Sequence, residues 1–170
     1  MATQSRKAAK GSTPAKRNET KAERADRNMG ELLQELRVAL PGVQILFAFL
    51  LTVPFSNGFD KLNGDQRDLY FGILMATALS TALLIAPTAN HRLLFHMRDK
   101  EHLVKISNRL AIAGLSVLAI AMTGTVLLIA DFLFQGAQTV IFTIVAAIMF
   151  ALLWGVMPLL RRAELKETER

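Results

Sequence analysis

Four long blocks of hydrophobic residues, separated by short polar segments, dominate this chain of 170 residues. The blocks lie at about residues 38–55, 69–86, 110–130 and 137–160, and none of them contains Asp, Glu, Lys or Arg. At a rise of about 1.5 Å per residue, each block is long enough for a helix that crosses the roughly 30 Å hydrocarbon core of a bilayer. The pattern predicts an all-α integral membrane bundle of four transmembrane helices in residues 28–160.

The polar segments between the blocks predict how the helices are connected. The first loop carries the turn signals Asn57-Gly58 and Asn63-Gly64, and residues 131–136 leave room only for a tight turn. Helices joined by short connections lie antiparallel, so the four spans form two hairpins. Residues 87–109 join the hairpins as a hinge, and their pattern predicts that spans two and three extend into it as helices.

Composition excludes a soluble fold. Hydrophobic residues make up 52% of the chain, and the four blocks are apolar on all sides. Helices of that kind in a soluble protein need amphipathic partners to cover them, and too little polar sequence remains for this purpose. Two stripes of small residues predict where the helices approach closely: Gly72, Ala76 and Ser80 in the second block, and Ala147, Ala151 and Gly155 in the fourth.

The sequence before the first block predicts a tail and an amphipathic helix. Residues 1–27 have few apolar side chains to bury, so we expect a disordered basic tail. Asn28, with Glu31 three residues later, has the pattern of a helix N-cap. The leucines that follow share one helix face, which predicts an amphipathic helix in the membrane interface. Pro41-Gly42 is expected to bend or restart the backbone there.

The distribution of basic residues predicts the orientation of the spans. Of the 20 Lys and Arg, nine lie at or before Arg37, five in the hinge 87–109 and four in the charged tail 161–170, whereas the first loop holds two. The positive-inside rule places both termini and the hinge in the cytoplasm. We therefore expect a multi-pass protein of the bacterial cytoplasmic membrane, whose basic face meets anionic lipid headgroups.

Five residues are the candidates for a functional site: Gln44, Asp131, Arg109, His91 and His96. The amide of Gln44 has to find hydrogen-bond partners, either by bridging helices or by lining a small polar cavity. Asp131 and Arg109 flank the third block, and we interpret them as end-stops that reach the membrane surfaces. Cation binding at Asp131 is the alternative.

The histidines do not have the spacing of a metal site. His91, His96 and His102 are five and six residues apart, so their rings diverge on a helix, and the chain has no cysteine. We interpret these histidines as side chains at headgroup level, with pH sensing as the alternative.

No catalytic pattern accompanies these residues. The sequence has no nucleophile–base set, no phosphate loop and no paired catalytic carboxylates, so we expect neither an enzyme nor a cofactor. No aromatic residues alternate with the charges of the tail, which argues against nucleic-acid binding.

Two stretches resemble a known family: ELLQELRVALPGVQILFAFLLTVPF, and HRLLF followed by KEHLVKISNRLAIAGL. With four spans and a basic tail, they are similar to small actinobacterial membrane proteins of unknown function, over about residues 31–160. The resemblance implies no catalytic or binding residues. Some members carry a sodium:proton antiporter label, but such exchange usually needs a carboxylate within the membrane, and no block contains one.

Two functional hypotheses follow. The first is an accessory or interaction protein of the cell membrane, which binds a membrane-protein partner or a second copy of itself. The second is a small oligomeric cation/proton transporter or channel that uses polar groups such as Gln44 or Asp131.

Overall fold

A computed structural model describes residues 20–94, 100–134 and 136–168, and these residues form long helices without a strand. The helices are α1 (Lys21–Thr52), α2 (Gly64–Leu94), α3 (Lys100–Leu133), α4 (Ala137–Ala151) and α5 (Met157–Thr168). Two short 3₁₀ turns, Val53–Phe55 and Phe59–Lys61, lie between α1 and α2, and a π-helical turn, Leu152–Val156, joins α4 to α5.

Four helical segments are long and apolar enough to cross a membrane: Glu23–Phe55, Gly64–Leu93, Glu101–Leu133 and Ala137–Leu165. This confirms the predicted all-α fold with four spans. Each segment is longer than its apolar block, because the polar residues at the block ends continue the same helix. Beyond the fourth apolar block, α5 runs on as a helix to Thr168 and pairs Arg161 with Glu164 at 3.2 Å.

Helix α1 begins earlier than predicted. The Thr20 hydroxyl accepts a hydrogen bond from the Glu23 amide at 3.3 Å, and the Glu23 carboxylate accepts one from the Thr20 amide at 2.9 Å. This capping box satisfies N–H groups that a helix start otherwise leaves unpaired. Asn28 therefore lies inside α1, and the helix start predicted there is wrong. Residues 1–19 of the predicted tail lie outside the described residues.

Pro41 lies within α1 and does not end it. A proline removes one donor from the helix, but Leu36 before it and Val43 after it are buried in one cluster with Leu84 of α2 and Leu118 of α3. Tertiary packing thus holds both halves of α1 in one helix. The predicted amphipathic helix is therefore the first half of α1, and its leucine face packs on the bundle.

The hinge predicted at residues 87–109 is mostly helix. Helix α2 continues through Pro87 to Leu94, and α3 begins at Lys100, which confirms that spans two and three extend as a helical hairpin. Residues 95–99 lie outside the described residues. Helices α2 and α3 form the central pair, α1 packs against both of them, and α4 packs extensively against α3.

Helices α2 and α3 approach each other closely where α3 has a glycine. A Cβ on Gly114 would lie 2.8 Å from Cγ of Leu84 on α2. The Ser80 hydroxyl donates a 2.8 Å hydrogen bond to the Gly114 carbonyl across this contact. The predicted stripe on α2 is therefore correct for Ser80 and wrong for Gly72, which is exposed with nothing within 4 Å of its Cβ position.

Candidate functional site

Hydroxyl side chains within the spans are already satisfied by backbone carbonyls. The buried Thr77 donates to the carbonyl of Ile73 at 2.8 Å. Five other hydroxyls donate to the carbonyl four residues earlier in their own helix: Thr81, Ser116, Thr123, Thr125 and Thr143. Such bonds need no ligand. Among the described residues, Ser107 carries the one buried side-chain oxygen that lacks a hydrogen-bond partner.

Tyr70 donates a buried hydrogen bond to the carbonyl of Leu50, near the end of α1. The residue four positions after Leu50 is Pro54, which has no N–H to donate to that carbonyl. The backbone N–H of Val53 also donates to the Leu50 carbonyl, so the Tyr70 hydroxyl is a second donor, in addition to the i+3 bond. Its ring also meets Phe59 edge-on, with centroids 5.4 Å apart. Tyr70 thus holds the end of α1 and the first loop against α2 at one end of the bundle.

Asp131 takes part in a contact between helices at the same end. Asn63 and Gln66 form a capping box at the start of α2. The backbone N–H of Gln66 donates to Oδ1 of Asn63 at 2.8 Å, and the backbone N–H of Asn63 donates to Oε1 of Gln66 at 3.1 Å. Nε2 of Gln66 then donates to Oδ2 of Asp131 at 2.8 Å. The end of α3 is thereby joined to the start of α2.

This geometry defines what Asp131 can do. The carboxylate is half-buried, and one of its oxygens accepts the Gln66 hydrogen bond. It lies in the last turn of α3, which agrees with its interpretation as an end-stop. Sequence reasoning missed Gln66, although Asn63 three residues before it has the spacing of a capping box.

Gln44 has neither of its two predicted roles, bridging helices or lining a polar cavity. Val43 beside it is buried in the bundle, but Gln44, about 100° farther round α1, is exposed next to the 60% exposed Ile45. Its side chain has no hydrogen bond to any described residue. The amide therefore neither bridges helices of this chain nor lines one of its cavities.

The remaining candidates are not brought together. Arg109 is exposed on α3, and His91 is half-buried near the end of α2. His96 lies outside the described residues. No group of three His, Cys, Asp or Glu side chains that could hold a metal ion occurs in the part of the chain that the structure describes.

One cavity of the bundle, of about 630 Å³, is a groove between α3 and α4 that is lined mostly by apolar side chains. One wall carries the predicted stripe of Ala147, Ala151 and Gly155, and Trp154 lines it as well, with its ring 5.3 Å from that of Phe150. The close helix approach predicted at this stripe is wrong at Gly155, where a Cβ would meet nothing within 4 Å. The hydroxyls in the lining, Ser116 and Thr123, donate to backbone carbonyls of their own helix, so the groove suits hydrocarbon better than an ion.

Another cavity, of about 260 Å³, lies beside Tyr70 and is lined mostly by apolar side chains of α1, α3 and the first loop, with Ser56 and Thr125 as polar exceptions. Neither cavity contains Asp131 or Gln44 in its lining. The polar candidates and the cavities are therefore separate features of the bundle.

Comparison with known families identifies one match. The model of DUF6328, a family of unknown function, matches residues 18–158, from just before the Thr20 cap to the start of α5. Comparison with curated proteins and with solved structures gave no match. The match covers all four spans and most of the chain. The chain therefore belongs to the DUF6328 family of unknown function.

Proposed function

We propose that this chain is an accessory or interaction protein of the bacterial cell membrane, and that it acts by contact rather than by catalysis. One observation carries the proposal: the amide of Gln44, within an apolar span, is exposed and has no hydrogen bond to a described residue. A polar side chain in hydrocarbon is costly unless it finds a hydrogen-bond partner. An exposed amide therefore favours contact with a partner in the membrane.

The interior of the bundle supports the same proposal. A transporter needs polar or ionisable groups along a pathway through the membrane. Apart from Ser107, the hydroxyls described above donate to backbone carbonyls, and the two cavities are lined mostly by apolar side chains. The alternative of a small cation/proton transporter or channel depends on Asp131, the half-buried carboxylate at the end of α3. An actinobacterial source is part of the same proposal and is supported by the resemblance alone.

The alternative makes a direct prediction about flux. In sealed vesicles containing the purified full chain, we expect cation and proton flux no greater than in empty vesicles. Asp131→Asn should leave that baseline unchanged, because its hydrogen bond with Gln66 gives the carboxylate a structural role. Fluorescent pH and cation indicators inside the vesicles would measure both. Robust pH-dependent cation flux that Asp131→Asn abolishes would overturn the accessory role.

Partner binding is tested in the native membrane. The tagged full chain, purified in mild detergent, should retain a membrane-protein partner or a differently tagged second copy. Gln44→Leu should reduce this retention, whereas Gln138→Leu, an equally exposed amide in the first turn of α4, should not. Equal retention by both variants would contradict the role given to Gln44.

The orientation is a separate proposal, supported by the basic residues near the ends of the apolar blocks. Arg92, Arg109 and Arg161 are all exposed there, where they can meet anionic lipid headgroups. We expect a reporter that is active only in the cytoplasm to be active when fused after Arg170. The same reporter inserted after Gly58, in the loop between α1 and α2, should be inactive. The reverse pattern would overturn the orientation.

A further inference from the structure

We infer that the outward face of α1 is a parallel dimerisation surface, and that its occupant is a second copy of this chain paired through Gln44. The inference rests on the proposed function and deepens it by naming the partner. It starts from two observations: Gln44 is exposed, and its side chain has no hydrogen bond to any described residue.

Gln44 lies deep in the bilayer by comparison with α2. Leu50 of α1 and Ile73 of α2 belong to one buried cluster, and the two helices run antiparallel. Gln44 lies six residues before Leu50, and Leu79 lies six residues after Ile73, which is about 9 Å along each helix. Gln44 and Leu79 therefore lie at about the same depth. Leu79 lies near the middle of the second apolar block. The amide is thus too far from either membrane surface to be hydrated easily.

The exposed residues around Gln44 form a regular surface. They follow one another at alternating steps of three and four: Gln34, Arg37, Pro41, Gln44, Ala48 and Leu51, and all of them are exposed. This is the heptad spacing that two helices need to pack side by side with a slight left-handed twist. Pro41 and Ala48 flank Gln44 with short side chains, so a neighbouring backbone can approach. We call these six residues the α1 heptad face.

A second copy is the partner that matches this surface. Copies of one chain insert with the same orientation, so α1 meets α1 in parallel and Gln44 meets Gln44 at the same depth. A side-chain amide has both donors and an acceptor, so two amides related by a two-fold axis can satisfy each other by reciprocal hydrogen bonds. Another protein would have to present a polar group at that depth, which the second copy provides by symmetry.

The charges locate the contact along the α1 heptad face. Arg37 lies near the inner end of the first apolar block, and two copies would place like charges there. Long basic side chains can turn toward the membrane surface, so the helices can splay at Arg37 and pack closely from Pro41 to Leu51. The contact is therefore centred on Gln44 and Ala48.

The first test compares two Gln→Leu substitutions in the purified full chain in vesicles of phosphatidylglycerol and phosphatidylethanolamine. Dimer formation is measured by fluorescence transfer between two labelled populations as the ratio of protein to lipid is varied. We expect Gln44→Leu to weaken dimerisation about tenfold, given the usual strength of interhelical hydrogen bonds. Gln44→Asn should retain most of it, and Gln138→Leu should be unchanged. Helix content should be unaffected, because Gln44 is exposed.

The second test uses the absence of cysteine from the natural chain. A cysteine at Ala48, on the α1 heptad face, should form a disulfide-linked dimer under mild oxidation. A cysteine at Ala82, equally exposed on α2, should not. Equal cross-linking at both positions, or at neither, would overturn the inference.

The outcomes separate this inference from the proposed function. If the purified chain is monomeric at all ratios of protein to lipid, dimerisation is wrong. If the tagged natural chain then still retains a different membrane protein from native membranes, and the Gln44→Leu variant does not, the interaction role stands. If the chain dimerises through Gln44 and also conducts cations through Asp131, the dimer stands and the accessory role fails.

Discussion

Tyr70→Ala is expected to destabilise the folded bundle by about 3 kcal/mol, as do other truncations of large buried aromatic side chains. Tyr70 is only 4% exposed and packs in a cluster with Leu50 and Ile73. The substitution leaves a cavity where α1, α2 and the first loop meet. It also removes the hydroxyl that donates to the Leu50 carbonyl. The Leu50 carbonyl keeps its hydrogen bond from the Val53 N–H, but Pro54 has no N–H that could replace the lost hydroxyl.

Two comparisons divide this effect into its parts. Tyr70→Phe keeps the ring and should cost about 1 kcal/mol, the usual contribution of one hydrogen bond. Phe71→Ala changes a neighbouring aromatic that is 59% exposed, so it should cost little. Unfolding in mixed micelles, followed by circular dichroism as the denaturing detergent is raised, gives the three values. Equal destabilisation by Tyr70→Ala and Phe71→Ala would contradict the packing described here.

Gly114→Ala and Gly72→Ala are expected to change stability in opposite directions. A Cβ at position 114 would lie 2.8 Å from Cγ and 2.9 Å from Cδ2 of Leu84, and 3.2 Å from Cβ of Leu83. Leu84 is completely buried, so it has little room to move away. Overpacking of this kind costs about 1–3 kcal/mol. The substitution also pushes Ser80 away from the Gly114 carbonyl, because the two helices have to separate.

Gly72 provides the matched control. It lies in the interior of α2, but a Cβ there meets nothing within 4 Å. Alanine should therefore stabilise the helix by up to about 1 kcal/mol through its higher helix propensity. The same detergent titration measures both variants, and fluorescence labels on α2 and α3 would report the separation of the helices. Stabilisation by Gly114→Ala would show that α2 and α3 are not closely packed at this point.

These predictions depend on features that the sequence alone located only in part. The stripe of Gly72, Ala76 and Ser80 correctly indicated close packing of α2, but it did not show which of these residues faces α3. The glycine that permits the approach, Gly114, lies on the other helix and belongs to no regular stripe. An isolated glycine in an apolar helix gives no signal of its partner, because the nearest atoms belong to residues about thirty positions away in the sequence.

Asp131 and Gln44 show the same limit for the candidate site. The sequence identified both as polar residues that need partners. It did not indicate that Gln66, at the start of a different helix, satisfies Asp131. It also did not indicate that Gln44 faces outward, because helices that are apolar on all sides have no polar face to orient them. Only the packing of Leu36 and Val43 against α2 and α3 determines which side of α1 remains exposed.

The sequence by itself determined the number of spans, their approximate positions and their helical conformation. These follow from local properties, since twenty or so consecutive apolar residues form their backbone hydrogen bonds within one helix in any bilayer. Tertiary structure decided three further features. Helix α1 continues through Pro41, Tyr70 donates a hydrogen bond to the carbonyl of Leu50, and the amide of Gln44 is exposed on the surface of the bundle. The physical reason is that helix formation leaves the rotation of each helix about its axis undetermined, and only the fit of side chains between helices sets it.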